Sequence, residues 1–175
     1  MRNVFAEELY KLAIKNKNIY IVVADISPAG NMIQFQKKYP NRFINVGVSE
    51  QTMIGLSAGL ALKKKKVFAY TIATFALYRP FEMVRNDICY QNLPVTVVGM
   101  GAGTIYNNLG ATHQSQEDIS IARSIPNMSI IAPSDPEELK EAVKYCCMKS
   151  KSPIYLRIGK SGEKNYSKNL KEKWN

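Results

Sequence analysis

Short runs of apolar residues alternate with helical segments along this chain, and that alternation limits its fold more than any other feature. Six runs rich in β-branched residues predict strands at 19–26, 43–48, 67–72, 93–100, 128–133 and 153–158. Strands that are apolar throughout are covered on both faces, as in parallel sheets. The sequence therefore predicts an α/β fold, a doubly wound and mainly parallel sheet with helices on both faces. Ligands of such sheets bind beyond the carboxyl ends of the strands.

Helical segments are predicted before the first strand at 3–16 and between the strands at 31–38, 49–62, 80–91, 116–124 and 136–149. The last helix has the clearest start signal, because Asp135 is placed to cap it and Pro136 occupies its first position. We expect a single domain over residues 1–160 and a polar tail over 161–175.

The composition, 46% hydrophobic and 22% charged over 175 residues, is that of a globular domain. No apolar run approaches the ~20 residues of a membrane span, and the charged amino terminus does not resemble a signal peptide. The three cysteines, Cys89, Cys146 and Cys147, are odd in number and form no C-x-x-C motif, so we expect buried, reduced thiols. These features predict a cytoplasmic protein.

The net charge of +10 would suit nucleic acid or an anionic substrate. The lysines at 63–66, however, lie between a helix and a strand, where a solvated turn is expected, and no aromatic residues are interleaved with them. We therefore expect neither nucleic-acid nor membrane binding. The single histidine excludes a His-rich metal site. Neither GMGAGT at 99–104 nor GKS at 159–161 completes a phosphate-binding motif.

The segment FINVGVSEQTMIGLSAGLA carries the sharpest functional signal. A strand ends, Ser49 is placed to cap a helix rich in small residues, and Glu50 lies in its first turn. From spacing alone, Glu50 either complements the helix dipole or acts in catalysis.

Several segments, in order, resemble the pyrimidine-binding domain of the transketolase family. They are VADISPAGN, FINVGVSEQTMIGLSAGLA, TIATFALYRPFEMVRNDICYQNLPV, LGATHQSQED, IPNMSIIAPSDPEEL and SPIYLRIGK. The chain is most similar to the short C-terminal-section transketolase subunits, which are separate from the diphosphate-binding half.

The resemblance implies thiamin diphosphate as cofactor, bound between two domains. In the family, a glutamate at the position of Glu50 hydrogen-bonds the aminopyrimidine ring nitrogen, so that the exocyclic nitrogen can act as a base. Phe75 matches the aromatic residue that stacks on that ring, although core packing would also explain a phenylalanine there. Family members hold Mg²⁺ and the diphosphate through a Gly-Asp-Gly motif, which this sequence lacks.

Four more residues match family positions. His113, in Thr-His-Gln, corresponds to a histidine that faces the reacting sugar, and Asp25 to an acidic residue near the thiazolium and the subunit contact. Tyr78 and Arg79 follow Phe75, and Arg79 resembles a ring-side arginine of deoxyxylulose-phosphate synthases once a small gap is allowed. From the residues alone, Asp25 is equally a turn residue and His113 a structural one.

Two positions depart from the family pattern. Leu109 stands where many members carry an acidic residue that reads the donor sugar, and a serine that binds acceptor phosphate is replaced near Ala29. These departures weaken the expectation of ordinary pentose-phosphate specificity but leave the cofactor step intact.

Three functions remain open at this point. The chain is expected to be a transketolase-like subunit that pairs with a separate diphosphate-binding chain, as a dimer or heterotetramer, and transfers a two-carbon ketol unit between sugars or sugar phosphates. A deoxyxylulose-phosphate-synthase-like or other α-ketoacid-using activity is the second, and a non-catalytic assembly module is the third. A neighbouring gene for a Gly-Asp-Gly chain would separate the third from the others.

Overall fold

Six parallel strands form one sheet in the order β2-β1-β3-β4-β6-β5. The computed structural model describes residues 1–28 and 30–167. The strands are β1 (Ile19–Val23), β2 (Phe43–Asn45), β3 (Lys66–Ile72), β4 (Val95–Met100), β5 (Ser129–Ile131) and β6 (Ile154–Ile158). The predicted doubly wound sheet is confirmed, and all of its pairings are parallel.

Helices connect successive strands. They are α1 (Arg2–Lys15), α2 (Asn31–Lys38), α3 (Glu50–Leu62), α4 (Ala73–Leu77), α5 (Phe81–Met83), a π-helical segment (Val84–Tyr90), α6 (Asp118–Arg123) and α7 (Pro136–Met148). Short 3-10 turns lie at Pro40–Arg42 and Asn107–Leu109. In the described part of the chain, no helix is long and apolar enough to cross a membrane.

The structure corrects two boundaries that matter for the site. The first strand was predicted to reach residue 26 but ends at Val23, because the backbone turns sharply at Asp25 (φ 44°). Helix α4 was not predicted at all: it follows β3 without a break in an apolar stretch, VFAYTIATFAL, where no pattern marks the change from strand to helix.

The alternation of side chains along the strands builds a core on each face of the sheet. In β3, Phe68 and Tyr70 point to the face covered by α1, α2 and α7, while Val67 and Ala69 point to the face covered by α3 and the π-helical segment. The ring of Phe5, from α1, stacks on Tyr70 with 5.5 Å between centroids. The central strands are therefore buried on both sides, which explains their uninterrupted apolar sequence.

Strand β1 is the point at which the strand order reverses. The chain leaves β1 for β2 on one side and then returns for β3 on the other, where Val23 pairs with Asn45 and with Tyr70. The loops after β1 and β3 therefore diverge at the carboxyl edge, and such a reversal opens the crevice in which ligands of these folds bind.

The predicted fate of the cysteines is confirmed for the described residues, where all three are free and buried. Burial raises the pKa of the Cys89 and Cys146 thiols to about 12, so both stay protonated near neutral pH. They act as small apolar core residues.

Lysines at the amino-terminal edge of the sheet, on the side away from the crevice, account for part of the positive charge. Lys63 follows α3, Lys65 donates to the Asn18 side chain at 3.0 Å, and Lys66 donates to the Ser150 carbonyl at 2.6 Å. Cations near the carboxyl ends of helices favourably oppose the helix dipole. The lysine cluster thus has a local structural role remote from the crevice.

Asp135 caps α7 as predicted and also holds the chain that follows β6. Its Oδ1 accepts from the amides of Glu137 and Glu138, and its Oδ2 accepts from those of Tyr166 and Ser167 at 2.8 and 2.6 Å. The backbone at Tyr166 and Ser167 is therefore tied to the domain, although most of residues 161–167 are exposed. Residues 168–175 of the predicted tail lie outside the described residues, and the boundary at 160 stays a prediction.

Replacing Asp135 with Ala should lower the free energy of unfolding by about 2 kcal/mol at pH 7, because four amides lose their acceptor. Burial alone would raise the pKa of Asp135, but the amide hydrogen bonds outweigh it and hold that pKa well below its ordinary value. Because the pKa of Asp135 is lower in the folded chain than its unfolded value of about 3.9, the ionised carboxylate stabilises the fold at a pH above that unfolded value. This stabilisation is lost as the pH falls towards the pKa of the folded state. The difference between variant and wild type should therefore shrink below about pH 4.

Urea unfolding at pH 7 and pH 3 measures this difference. Glu141→Ala is the matched control on the same helix; Glu141 is half exposed and pairs with the half-exposed Lys144, so the change in stability should be less than about 0.5 kcal/mol. An Asp135→Ala penalty that is absent, or that does not depend on pH, would contradict this role.

Candidate active site

Residues that follow four different strands meet at the crevice. Asp25 follows β1, Glu50 follows β2, Phe75 lies just after β3, and His113 lies in the loop after β4. Together with Arg79 they line one cavity of about 300 Å³. The structure thus brings together five of the six residues that the sequence singled out; the sixth, Tyr78, lines a neighbouring cavity.

Glu50 opens α3 and is buried, with 4% of its surface exposed. Its Oε1 accepts a hydrogen bond from Nη1 of Arg79 at 2.8 Å. Ser49 occupies the N-cap position as predicted, but its side chain makes no capping bond; its hydroxyl pairs with that of Thr52 at 2.6 Å. The amides in the first turn of α3 therefore donate no hydrogen bond to the Ser49 side chain. The positive end of the helix dipole favours negative charge on Glu50, which lies in this turn.

Phe75 is presented by α4 with its ring held from two sides. The guanidinium carbon of Arg79 lies 3.8 Å from the ring centroid, and the imidazole of His113 meets the ring edge to face at 5.1 Å. Arg79 thus links the Phe75 ring to the Glu50 carboxylate. The sequence predicts each of these residues as a site residue but not the contacts among them.

His113 is fixed by the loop between β4 and α6. Its Nδ1 lies 2.9 Å from the Thr112 hydroxyl, and its amide donates to the Gly110 carbonyl. Farther along the loop, Gly103 and Ser115 exchange two backbone hydrogen bonds, which closes the loop into a hairpin-like turn. The imidazole is therefore held over the crevice by local backbone pairing.

A buried polar network anchors the far end of this loop to the sheet. The fully buried Asp118 accepts from the Tyr155 hydroxyl at 2.8 Å and from Nε of Arg157 at 2.9 Å. Burial, together with the neighbouring carboxylate, raises the pKa of Tyr155 well above its ordinary value. Both partners of Asp118 belong to β6, so the network ties α6 to the strand beside β4.

Asn45 is a site-shaping residue that the sequence did not single out. Its Oδ1 accepts from the amides of Asp25 and Gly47, both at 3.0 Å. One side chain at the end of β2 thus fixes the loops after β1 and β2. An asparagine inside the otherwise apolar run at 43–48 was the available signal, but its partners become visible only once the two strands are paired.

A second cavity, of about 540 Å³, adjoins the first and shares Phe75 and Arg79 as its wall. Tyr78 lines it and donates to Oε2 of Glu117 at 3.1 Å. Burial and this hydrogen bond raise the pKa of Tyr78 above its ordinary value. Thr74 also lines this cavity, but its hydroxyl is buried and has no hydrogen-bond partner among the described residues.

Of the two positions that depart from the family pattern, one lies among the described residues. Leu109 lies in the 3-10 turn of the His113 loop, and its apolar side chain is half exposed. This position therefore carries no carboxylate. Ala29 lies outside the described residues. Within residues 1–28 and 30–167, no three His, Cys, Asp or Glu side chains come together as a metal site.

Comparison with known proteins decides the family. Residues 1–163 match the profile of the transketolase pyrimidine-binding domain. The chain belongs to this family. All the residues that line the smaller cavity lie within the part of the chain that matches the transketolase pyrimidine-binding domain.

Curated relatives agree with this assignment. A Methanocaldococcus jannaschii protein named as a transketolase C-terminal section is 41% identical over 90% of this chain and 50% of its own length. An apulose-4-phosphate transketolase subunit from Phocaeicola vulgatus is 36% identical over 91% of this chain and 51% of its own. A 1-deoxy-D-xylulose-5-phosphate synthase from Lawsonia intracellularis is 38% identical over 90% of this chain but 24% of its own.

Among solved structures, a split-gene transketolase described as an inactive β4 tetramer superimposes with a TM-score of 0.81. It is 37% identical, and the match covers 92% of this chain and 51% of that one. The pyrimidine-binding domain described here thus spans about half the length of its transketolase relatives.

Gly101→Ala should disturb the His113 loop of this domain more than Gly110→Ala. Both glycines have positive φ (69° and 76°), and ψ at Gly110 is −169°, so backbone strain costs each alanine roughly 1–3 kcal/mol. At Gly101 the added Cβ would also overlap the Tyr106 ring, which packs edge-on against His113 at 6.1 Å, whereas at Gly110 it meets nothing within 4 Å. We expect Gly101→Ala to cost a further ~1–3 kcal/mol.

Thermal or urea unfolding of the two variants measures the difference. Because His113 is the only histidine, its imidazole NMR signals are unambiguous, and they should also shift in Gly101→Ala. Unmoved His113 signals, together with a destabilisation no larger than that of Gly110→Ala, would contradict the packing of Tyr106 in this loop.

Proposed function

We propose that this chain supplies the aminopyrimidine half of a thiamin diphosphate site in a split transketolase-like enzyme. The enzyme would transfer a two-carbon ketol unit between sugars or sugar phosphates. The observation that carries this proposal is the shared cavity of Glu50, Phe75 and His113 in a chain of this family. A buried acceptor and a flat apolar ring suit a flat, N–H-bearing ring, and the imidazole is a group that can hydrogen-bond a substrate beside it.

The residues present fit the aminopyrimidine. Glu50 has one oxygen held by Arg79, and no described residue donates to the other, which leaves an acceptor for a ring N–H. Phe75 offers an apolar face at the same cavity, and the buried Thr74 hydroxyl next to it lacks a partner among the described residues.

In this proposal each residue has a separate task. Thiamin diphosphate supplies the carbon–carbon chemistry when bound. Glu50 orients the ring by accepting its N–H and moves a proton at that atom, and Phe75 fixes the ring plane. His113, which meets the Phe75 ring edge to face, would hydrogen-bond the carbonyl or hydroxyl of the sugar. Asp25 borders the same cavity, at the position that the family resemblance places near the thiazolium and the subunit contact. Tyr78 contributes from the second cavity.

The diphosphate and Mg²⁺ are assigned to a separate chain. The sequence lacks Gly-Asp-Gly, and the domain matches about half of proteins that are named as a C-terminal section or as one subunit of a transketolase. We propose a heteromeric assembly, a dimer or heterotetramer, in the cytoplasm, where three unpaired thiols remain reduced.

Helix α3 offers the surface for that partner. Its sequence after Glu50, QTMIGLSAGLAL, has no charged residue on either face. On the outer face a Cβ added at Gly55 or Gly59 would have no neighbour within 4 Å, and Leu62 is 59% exposed. A helix that is apolar all round is normally covered. Because Glu50 begins this helix, a chain packed on it would also close the Glu50 cavity.

Glu50→Ala should lower turnover of the reconstituted enzyme by a factor of roughly 10²–10⁴, the usual contribution of a positioned acid or base. The fold should persist, since the carboxylate's described hydrogen-bond partner, Arg79, is itself 46% exposed. Steady-state kinetics, with circular dichroism as the check on folding, measures both. Glu82→Ala, an exposed carboxylate on α5, is the control and should leave turnover unchanged. Wild-type turnover in Glu50→Ala would refute the role.

Gly55→Arg should abolish association with the partner while the chain stays folded, because the new side chain leads into open space. Gly55→Ala adds only a methyl group and is the matched control; it should associate normally and be stabilised by up to ~1 kcal/mol. Analytical ultracentrifugation of the purified pair measures association. Normal assembly of Gly55→Arg would place the interface elsewhere.

One observation favours a second candidate function. The Lawsonia relative, 38% identical, is named as a 1-deoxy-D-xylulose-5-phosphate synthase. A donor screen separates the two activities: consumption of pyruvate by the reconstituted enzyme would favour the synthase-like reaction, and ketose donors would favour ketol transfer. A complex that binds cofactor but turns over neither donor class would favour the non-catalytic module.

A further inference from the structure

The Arg79 side chain lines both cavities, together with Phe75. Its guanidinium stacks on the Phe75 ring with 3.8 Å between its carbon and the ring centroid. Its Nη1 donates to Oε1 of Glu50 at 2.8 Å. One flat cation therefore joins an aromatic ring on the β3 side of the crevice to a carboxylate on the β2 side.

The pair is asymmetric in exposure, which points to orientation rather than fold stability as its role. The Glu50 side chain is 5% exposed, whereas that of Arg79 is 46% exposed. A half-solvated ion pair contributes little net stability. A planar guanidinium, however, has a fixed fork of donors, and stacking on Phe75 fixes its plane. Pro80 follows directly and restricts the backbone of Arg79.

The guanidinium does not fill the space beside Glu50. With Arg79 in place the smaller cavity still holds about 300 Å³, the volume of about ten water molecules at ~30 Å³ each. Among the described residues, none donates to Oε2 of Glu50. The contact at Oε1 thus leaves room for a flat ring and leaves a second acceptor to meet it.

We propose that Arg79 is a positioning residue for Glu50. By holding Oε1 against the Phe75 stack, it turns Oε2 towards the N–H of a ligand in the smaller cavity. The identity of that ligand, an aminopyrimidine, rests on the proposed function. The resemblance to the family placed Arg79 among the residues that bind the cofactor directly; the geometry assigns it an action through Glu50 and Phe75.

The first test needs only the chain itself. Crystal structures of Arg79→Gln, Arg79→Lys and the control Arg85→Gln, an exposed arginine that contacts Asn86 on its own helical segment, show where the Glu50 carboxylate lies. We expect it to rotate or split into several conformers in Arg79→Gln, and to stay in place in Arg85→Gln. In Arg79→Lys the Glu50 carboxylate should keep its position in part of the molecules. An unmoved Glu50 carboxylate in Arg79→Gln would overturn the proposal.

The second test is cofactor affinity in the complex with the diphosphate-binding chain, measured by calorimetry. Arg79→Gln should raise the Kd for thiamin diphosphate roughly tenfold, with partial rescue by Arg79→Lys and no change in Arg85→Gln. Equal or tighter binding by Arg79→Gln would overturn the proposal, since it would show that the guanidinium only competes with the ring. A wild-type complex that binds no thiamin diphosphate would instead refute the proposed function, and the crystal structures would still decide the hold of Arg79 on Glu50.

Discussion

The reversal of strand order at β1 is the constraint on which the rest of the molecule depends. It separates the loops after β1 and β3 and leaves a crevice that the start of α3 borders. Glu50 lies at the beginning of that helix, so the same helix contributes a residue to the crevice and the surface proposed to meet a partner. In that proposal, site and assembly would be coupled by topology.

Satisfied polar groups give the crevice its shape. The exposed Asn45 fixes two loops through two amides, and the buried Asp118 ties the His113 loop to β6 through a hydroxyl and a guanidinium. Asp118 would be costly to bury without its partners, so its arrangement excludes alternatives. The buried Thr74 hydroxyl and the buried Nε of Arg2 have no hydrogen-bond partner in the described part of the chain.

The sequence predicted what depends on pattern. Continuous apolar strands implied a parallel sheet, and the Asp135-Pro136 signal placed a helix start that the structure confirms. It could not show where β3 becomes α4, because apolar residues run through both. Nor could it show that Arg79 contacts Glu50, since that contact depends on the relative placement of α3 and the turn after α4. Residue choice identified most of the site, and tertiary packing determined which of its members touch.

If this domain holds half of a cofactor site, the cofactor should need both chains to bind. Calorimetric titration with thiamin diphosphate and Mg²⁺ measures this, first on the chain alone and then on the complex co-purified from the native source. We expect no tight binding by the chain alone and tight binding, with one cofactor per pair of chains, by the complex. Tight binding by the isolated chain, or none by a complex containing a Gly-Asp-Gly partner, would contradict the half-site.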